Sequence, residues 1–74
     1  MDITKTLKML MLDRDVKQVD IANEFKGMSK HTFNNLLRRN DYKLNDIIKI
    51  AGIMNYDVKL QFVDTKTDKI INAE

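Results

Sequence analysis

The chain of 74 residues has no cysteine and a single histidine, His31. Neither a disulfide framework nor a cysteine-ligated zinc site can therefore stabilise the fold, and a lone imidazole predicts no metal site. Chains of this length bury only about 60% of the surface that their unfolded state exposes. Because neither disulfides nor metals add stability here, we expect the domain to gain some from a partner subunit.

Signatures of catalysis and cofactor binding are also missing. The sequence contains no glycine-rich phosphate loop, and its acidic residues are scattered rather than paired in an apolar setting. We therefore expect a protein that is not an enzyme and that binds no cofactor and no small-molecule ligand.

Long hydrophobic runs are absent as well. The amino-terminal segment MDITKTLKML interrupts its apolar residues with an acid and two lysines. Such a pattern predicts neither a signal peptide nor a membrane span. We expect a cytoplasmic protein that does not enter a membrane.

Positive charge is unevenly distributed along the chain, although the net charge is only +2. Five of the thirteen basic residues fall between Lys26 and Lys43, where only one of the eleven acidic residues, Asp41, occurs. Charge alone is also compatible with an ordinary solvated helix face. Its concentration in one segment favours attraction to a polyanion through a single surface.

Apolar side chains recur at helical spacing in four segments. They predict helices over about residues 2–13, 17–25, 30–39 and 44–55. Asp2 and Ser29 are expected to cap the first and third helices, and Gly27 supplies a turn position where positive φ costs little. Ala22 is interpreted as the small residue at which the third helix crosses the second.

The first and fourth helices each carry an apolar stripe that we expect to face the core. The stripe residues are Ile3, Leu7, Leu10 and Met11 in the first helix, and Leu44, Ile47, Ile48, Ala51 and Met54 in the fourth. Met9 and Leu12 lie off the stripe of the first helix, so either the C-terminal segment covers them or they form part of an interface, and we favour coverage.

The apolar period changes from near 3.6 to 2 after Tyr56. Val58, Leu60 and Phe62 alternate with polar residues, which predicts a strand, and the polar run 64–69 predicts a hairpin connection to a short return strand at 70–71. A lone two-stranded hairpin is marginal in water, and its edge promotes aggregation. We therefore predict a two-fold dimer through Val58, Leu60 and Phe62, the alternative being a hairpin folded onto its own helices in a monomer.

The third predicted helix separates polar from apolar side chains. At 100° per residue, an arc of about 140° contains Lys30, His31, Asn34, Asn35 and Arg38, whereas the opposite side contains Phe33, Leu36 and Leu37. Amides, imidazole and cations match base edges and phosphate oxygens in the major groove of DNA. The segment 18–39 therefore predicts a DNA-binding helix-turn-helix.

A family resemblance rests on the positions Gln18, Ile21, Ala22, Gly27, Met28, Ser29 and Phe33. On these residues the chain resembles the phage-repressor-like (Cro or XRE) helix-turn-helix family, and the resemblance covers most of the chain. Two positions depart from the family pattern. The family's glycine falls where this chain has Lys26, so the turn is one residue longer, and Lys17 stands where the family commonly has a serine or threonine cap.

The resemblance implies a mostly α fold: a small four-helix, lambda-repressor-like domain over residues 1–56, with a C-terminal strand or hairpin over 57–74 in the same compact unit. It implies that the third helix enters the major groove and contacts bases through Lys30, His31, Asn34 and Asn35. Phosphate contacts are expected from Lys17, Gln18, Thr32, Arg38, Arg39 and Lys43. Gln18 could also brace Asn35. The implied function is that of a homodimeric transcriptional regulator, a repressor that reads a palindromic operator in double-stranded DNA.

Other functions stay open beside this one. A protein-interaction module, such as an antitoxin or anti-regulator, would use the same fold and bind a partner through the third helix or by strand addition. RNA binding is less favoured, because single-stranded readers display aromatic side chains and both tyrosines lie outside the third helix.

Overall fold

Four helices and a C-terminal hairpin make up the computed structural model, which describes residues 1–73. The helices are α1 (Ile3–Arg14), α2 (Gln18–Glu24), α3 (Lys30–Arg39) and α4 (Leu44–Ile53), and the strands are β1 (Gln61–Val63) and β2 (Ile70–Asn72). This architecture confirms the predicted mostly α fold with a C-terminal hairpin. The bounds of α3 are those predicted, whereas α4 ends two residues earlier than predicted.

Side-chain caps begin two of the helices where the sequence predicts them. Asp2 Oδ1 accepts a hydrogen bond from the backbone N–H of Lys5 at 3.0 Å, and Ser29 Oγ accepts from that of Thr32 at 3.1 Å. Both predicted N-caps are therefore confirmed. Lys17 precedes α2 and makes no side-chain cap bond, so this helix begins without the cap that the other two have.

The turn between α2 and α3 contains two consecutive left-handed residues. Lys26 has a φ of 57° and Gly27 a φ of 61°, so the predicted positive φ of Gly27 is confirmed. The backbone N–H of Met28 donates to the carbonyls of Ala22 and Phe25 at 3.0 and 3.2 Å, which closes the turn. Glycine adopts this conformation at little cost, whereas the side chain of Lys26 makes it unfavourable by about 1–2 kcal/mol.

A core built from all four helices holds α3 in place. Its buried residues are Leu7, Met11, Ile21, Ala22, Phe25, Phe33, Leu36, Leu37, Ile50, Ala51 and Met54. Ala22 is completely buried where α2 packs on its neighbours, as expected for a small residue at a helix crossing. The rings of Phe25 and Phe33 meet edge to face with centroids 6.1 Å apart, which joins α3 to the end of α2.

Four apolar side chains that we expected to be covered are exposed. Leu44 and Ile48 lie on the outer side of α4, while Met9 and Leu12 of α1 expose 60% and 81% of their surface. The prediction that the C-terminal segment covers Met9 and Leu12 is wrong, because the hairpin projects away from the helices. The Cα radius of gyration is accordingly 14.0 Å, against about 11 Å for a compact domain of this length.

The hairpin is antiparallel and has one register. The paired residues are Gln61 with Asn72, Phe62 with Ile71, and Val63 with Ile70. In the connection, Asp64 Oδ1 accepts from the N–H of Lys66 at 2.8 Å and Asp68 adopts a φ of 61°, which confirms the predicted hairpin turn. The strand predicted from Val58 is too long, since β1 begins at Gln61. Upstream of it, the carbonyl of Leu60 accepts from the backbone N–H of Ala73 at 2.9 Å, just beyond the end of β2.

Candidate nucleic-acid interface

α3 buries one side and exposes the other. Phe33, Leu36 and Leu37 are buried in the core. The opposite side carries Lys30, His31, Asn34 and Arg38, which are exposed, and Asn35, which is half-buried. We call these five residues the α3 face. The structure thus brings all four predicted base-contacting residues together on one accessible surface.

The carboxyl end of α3 is held by hydrogen bonds that the sequence did not predict. The backbone N–H of Thr4 donates to Asn40 Oδ1 at 3.1 Å, and Thr4 Oγ1 donates to the carbonyl of Leu37. The hydroxyl of Tyr42 lies 2.6 Å from Thr4 Oγ1. Burial raises the pKa of Tyr42, the bond to Thr4 opposes this rise, and the negative charge of Asp2 adds to it. The phenol therefore stays neutral at physiological pH, and the Thr4 cluster (Thr4, Leu37, Asn40, Tyr42) ties α3 to α1.

The cations of α3 are not neutralised by ion pairs. Within residues 1–73, the one ion pair joins Lys26 Nζ to Asp46 Oδ1 at 3.4 Å, and neither residue belongs to α3. Lys30, Arg38 and Arg39 therefore remain available to oppose the charge of phosphate groups.

Gln18 links the start of α2 to the α3 face. Its Nε2 donates to Asn34 Oδ1 at 3.4 Å, so the structure brings Gln18 to Asn34 rather than to the predicted Asn35. The physical reason is packing: the start of α2 meets α3 on the side of Asn34, and Asn35 lies about 100° further around the helix. Gln18 and Asn34 line a shallow recess together with Lys30 and His31, which we call the α2-side recess.

A second recess lies on the other flank of α3. It is lined by Thr32, Asn35, Arg38 and Arg39. Two guanidinium groups beside an amide and a hydroxyl suit phosphate oxygens. Thr32 also accepts a hydrogen bond from Ser29 Oγ at 3.0 Å, so its hydroxyl takes part in the cap of α3 as well.

The remaining predicted phosphate contacts, Lys17 and Lys43, lie at the starts of two other helices. Lys17 directly precedes α2 and Lys43 directly precedes α4, and both are exposed. Neither lysine lines the α2-side recess or the recess beside Arg38 and Arg39. The structure therefore places Lys17 at the start of α2 and Lys43 at the start of α4, and neither lysine belongs to the α3 face.

The predicted dimerisation residues occupy two different environments. Val58 is half-buried and lines an apolar groove between α1 and α4. Leu60 and Phe62 belong to the hairpin region, and Phe62 exposes 63% of its surface. The exposed apolar residues of the two strands are Phe62, Val63, Ile70 and Ile71, which we call the apolar hairpin surface. Because neighbouring positions along a strand point to opposite sides, both faces of the hairpin carry part of it.

No group of three or more histidine, cysteine, aspartate or glutamate side chains in residues 1–73 could hold a metal ion. None of the helices in that range combines the length and apolar character needed to cross a membrane.

The structure thus presents two accessible surfaces of opposite character, the polar α3 face and the apolar hairpin surface. Comparison of the chain with protein-family models, with curated proteins and with solved structures finds no match.

Proposed function

We propose that this chain is a sequence-specific regulator of transcription that binds double-stranded DNA. The α3 face carries the proposal, because it is an exposed row of amides, imidazole and cations on a helix whose other side is locked into the core. The major groove is about 12 Å wide and admits an α-helix. α3 would lie in this groove with its polar face towards the base edges.

Base contacts are assigned to the first two turns of α3. Lys30 and His31 occupy the first turn, and Asn34 and Asn35 follow one turn later. An asparagine amide offers a donor and an acceptor and can pair in bidentate fashion with adenine, while lysine donates to the acceptors of guanine. These four residues would therefore determine the preferred sequence.

Phosphate contacts are assigned to the residues around this face. They are Lys17, Gln18, Thr32, Arg38, Arg39 and Lys43. Contacts of this kind set affinity, register and salt dependence but carry no sequence information. The unpaired cations of α3 and the recess containing both arginines support this division.

The resemblance to the phage-repressor-like family supports the same role. The extra residue in the turn does not open the connection between α2 and α3, because Lys26 and Gly27 are both left-handed. Met28 still bonds back to the end of α2. A longer turn is therefore compatible with a helix-turn-helix in which α3 is presented to DNA.

We further propose that the active form is a homodimeric repressor in the cytoplasm. The apolar hairpin surface and the free strand edges favour pairing with a second copy, which would bury apolar side chains and satisfy backbone groups. A two-fold dimer presents two α3 faces to a palindromic operator. The half-sites are then expected about 34 Å apart, one helical turn of DNA.

Selection from a pool of random duplexes tests this proposal. We expect a near-palindromic site whose affinity falls steeply as salt rises, since bound cations displace counterions from DNA. Asn34→Ala and Asn35→Ala should each lose about 1–3 kcal/mol of base discrimination. Arg38→Ala should weaken all duplexes alike and lower the salt slope by about one. Unchanged affinity and preference in all three variants would contradict the assignment of α3.

The apolar hairpin surface supports one alternative, a protein-interaction module such as an antitoxin or anti-regulator. In that case a different protein would add a strand to the edge of β1 or β2. The two functions are separated by measuring duplex binding and complex composition together. A stoichiometric complex with a non-identical protein, without salt-sensitive binding to any duplex, would favour the alternative.

A further inference from the structure

The two asparagines of the α3 face have neighbours of different chemistry. Gln18 Nε2 donates to Asn34 Oδ1 at 3.4 Å, whereas Asn35 Nδ2 lies 3.4 Å from His31 Nε2. The amide nitrogen of glutamine is always a donor, so it holds the oxygen of Asn34 towards α2. An imidazole nitrogen accepts a hydrogen bond when it has no proton and donates one when it does. The imidazole beside Asn35 can therefore change from acceptor to donor by taking up a proton, whereas the amide of Gln18 keeps the same donors and acceptor at every pH.

We infer that His31 sets the order in which Asn35 presents its donor and acceptor to a base pair, an inference that rests on the proposed DNA-binding function. In the neutral tautomer that carries its proton on Nδ1, Nε2 of His31 accepts from Asn35 Nδ2, so the amide nitrogen lies towards His31 and the oxygen away from it. When the imidazole takes up a proton, Nε2 becomes a donor and attracts Asn35 Oδ1 instead. The amide then turns over, and its donor and acceptor exchange places along the groove.

This exchange alters base recognition at a single position. In the major groove adenine offers the N7 acceptor beside the N6 donor in a fixed order, and a bidentate amide must match that order. Turning over the Asn35 amide places donor against donor and acceptor against acceptor. His31 is therefore a positioning residue for specificity, and its protonation state selects the base that Asn35 prefers.

The surroundings of His31 are polar and open to solvent. His31 is exposed, and the recess beside it is lined by Gln18 from α2 and by Lys30 and Asn34 from α3. Lys30 is the charged group among these neighbours, since both amides are neutral. Histidine is the side-chain type whose ordinary change of charge lies between about pH 5 and pH 8, so the test compares base preference at the two ends of that range.

Duplex selection at about pH 5.5 and about pH 8 tests the inference. We expect the preferred base at one position of each half-site to differ between the two conditions, with a change in preference ratio of about tenfold. Asn35→Ala and His31→Ala should both abolish this change. His31→Lys supplies a permanent donor and should give the low-pH preference at both pH values. Asn34→Ala is the matched control, because it removes the other amide and should keep the change.

Two outcomes separate this inference from the proposed function. If pH alters affinity by the same factor for every sequence, and does so in Asn35→Ala as well, His31 acts as a simple cation and the inference is overturned while the DNA-binding function stands. If no duplex is bound at either pH, the proposed function fails and the inference fails with it.

The free protein offers a readout that does not depend on DNA. The side-chain amide NMR signals of Asn35 should shift as His31 titrates, and this shift should be lost in His31→Ala. The amide signals of Asn34 should not follow the same titration. Asn35 signals that are independent of the His31 titration would overturn the inference.

Discussion

The α3 face and the apolar hairpin surface are both exposed, but for opposite physical reasons. The α3 face consists of polar side chains that water solvates, and the apolar side of the same helix fills the core. The hairpin exposes apolar side chains on both faces, where burying each would contribute about 1.5–3 kcal/mol. The first surface is therefore complete in a single chain, whereas the second becomes favourable only when another surface covers it.

The two regions also differ in how they are attached. α3 is capped by Ser29 at its start, and the Thr4 cluster joins its end to α1. By contrast, within residues 1–73 the hydrogen bonds of the hairpin connect one strand or its turn to the other, and they do not connect the hairpin to a helix. α3 is therefore held at both ends by other parts of the chain, whereas the hairpin is held by its own hydrogen bonds, and this difference supports the roles proposed for the two surfaces.

The sharpest test of this comparison is to truncate one phenylalanine in each region. Phe33→Ala removes a fully buried ring and should lower the free energy of unfolding by about 3–5 kcal/mol. Phe62→Ala removes an exposed ring and should change the unfolding free energy of the monomer by less than about 0.5 kcal/mol. Urea denaturation at low protein concentration measures both. Equal losses in the two variants would show that the hairpin is part of the core.

A charge on the hairpin should weaken self-association. Phe62→Asp places a carboxylate on the apolar hairpin surface and is expected to raise the dimer dissociation constant by a factor of about thirty, equivalent to about 2 kcal/mol. Sedimentation at several protein concentrations measures the change. Thr65→Asp, in the exposed hairpin turn, is the matched control and should leave association unaltered. Dimers that survive Phe62→Asp unchanged would place the interface elsewhere.

The hydrogen bonds that join the end of α3 to α1 can be removed without substituting any residue of the α3 face. Thr4→Val keeps the shape of the side chain but removes the hydroxyl that bonds to Leu37 and Tyr42, and we expect a loss of about 1–3 kcal/mol in unfolding free energy. Thr6→Val is the control, because its hydroxyl bonds to a carbonyl at the start of α1. Hydrogen exchange should then quicken at the end of α3 and not in β1. Equal effects of the two substitutions would contradict the role of the Thr4 cluster.

The smallest expected effect concerns the turn that presents α3. Lys26→Gly and Lys26→Ala both remove the ion pair with Asp46, but only glycine relieves the left-handed backbone. The glycine variant should therefore be more stable than the alanine variant by about 1 kcal/mol. Thermal or chemical denaturation measures the difference. Equal stability of the two variants would show that position 26 carries no backbone strain.

Features that depend on near neighbours in the chain could be predicted from the sequence. The bounds of α3, the caps at Asp2 and Ser29 and the positive φ of Gly27 follow from spacing and from the local chemistry of single residues. The separation of the α3 face from Phe33 follows from the helical period. Each of these involves contacts within about one helical turn, so the order of residues is sufficient to determine it.

Features that join distant segments could not be predicted in the same way. The contacts of Thr4 with α3 and Tyr42 span 33 to 38 residues, and nothing in the amino-terminal segment indicates its partners. The pairing of Gln18 with Asn34 instead of Asn35 depends on how α2 crosses α3. The exposure of Met9 and Leu12 depends on where the hairpin leaves the helices. These outcomes require the packing angles, which the residue pattern does not contain.

The order of residues by itself determined that this chain forms four helices and a hairpin, and that its third helix has one polar and one apolar side. Only the tertiary structure decided which neighbours orient the amides of that helix, and that the hairpin stays apart from the core. The reason is that helical period and caps act over a few residues, whereas side-chain orientation and coverage depend on elements brought together by packing.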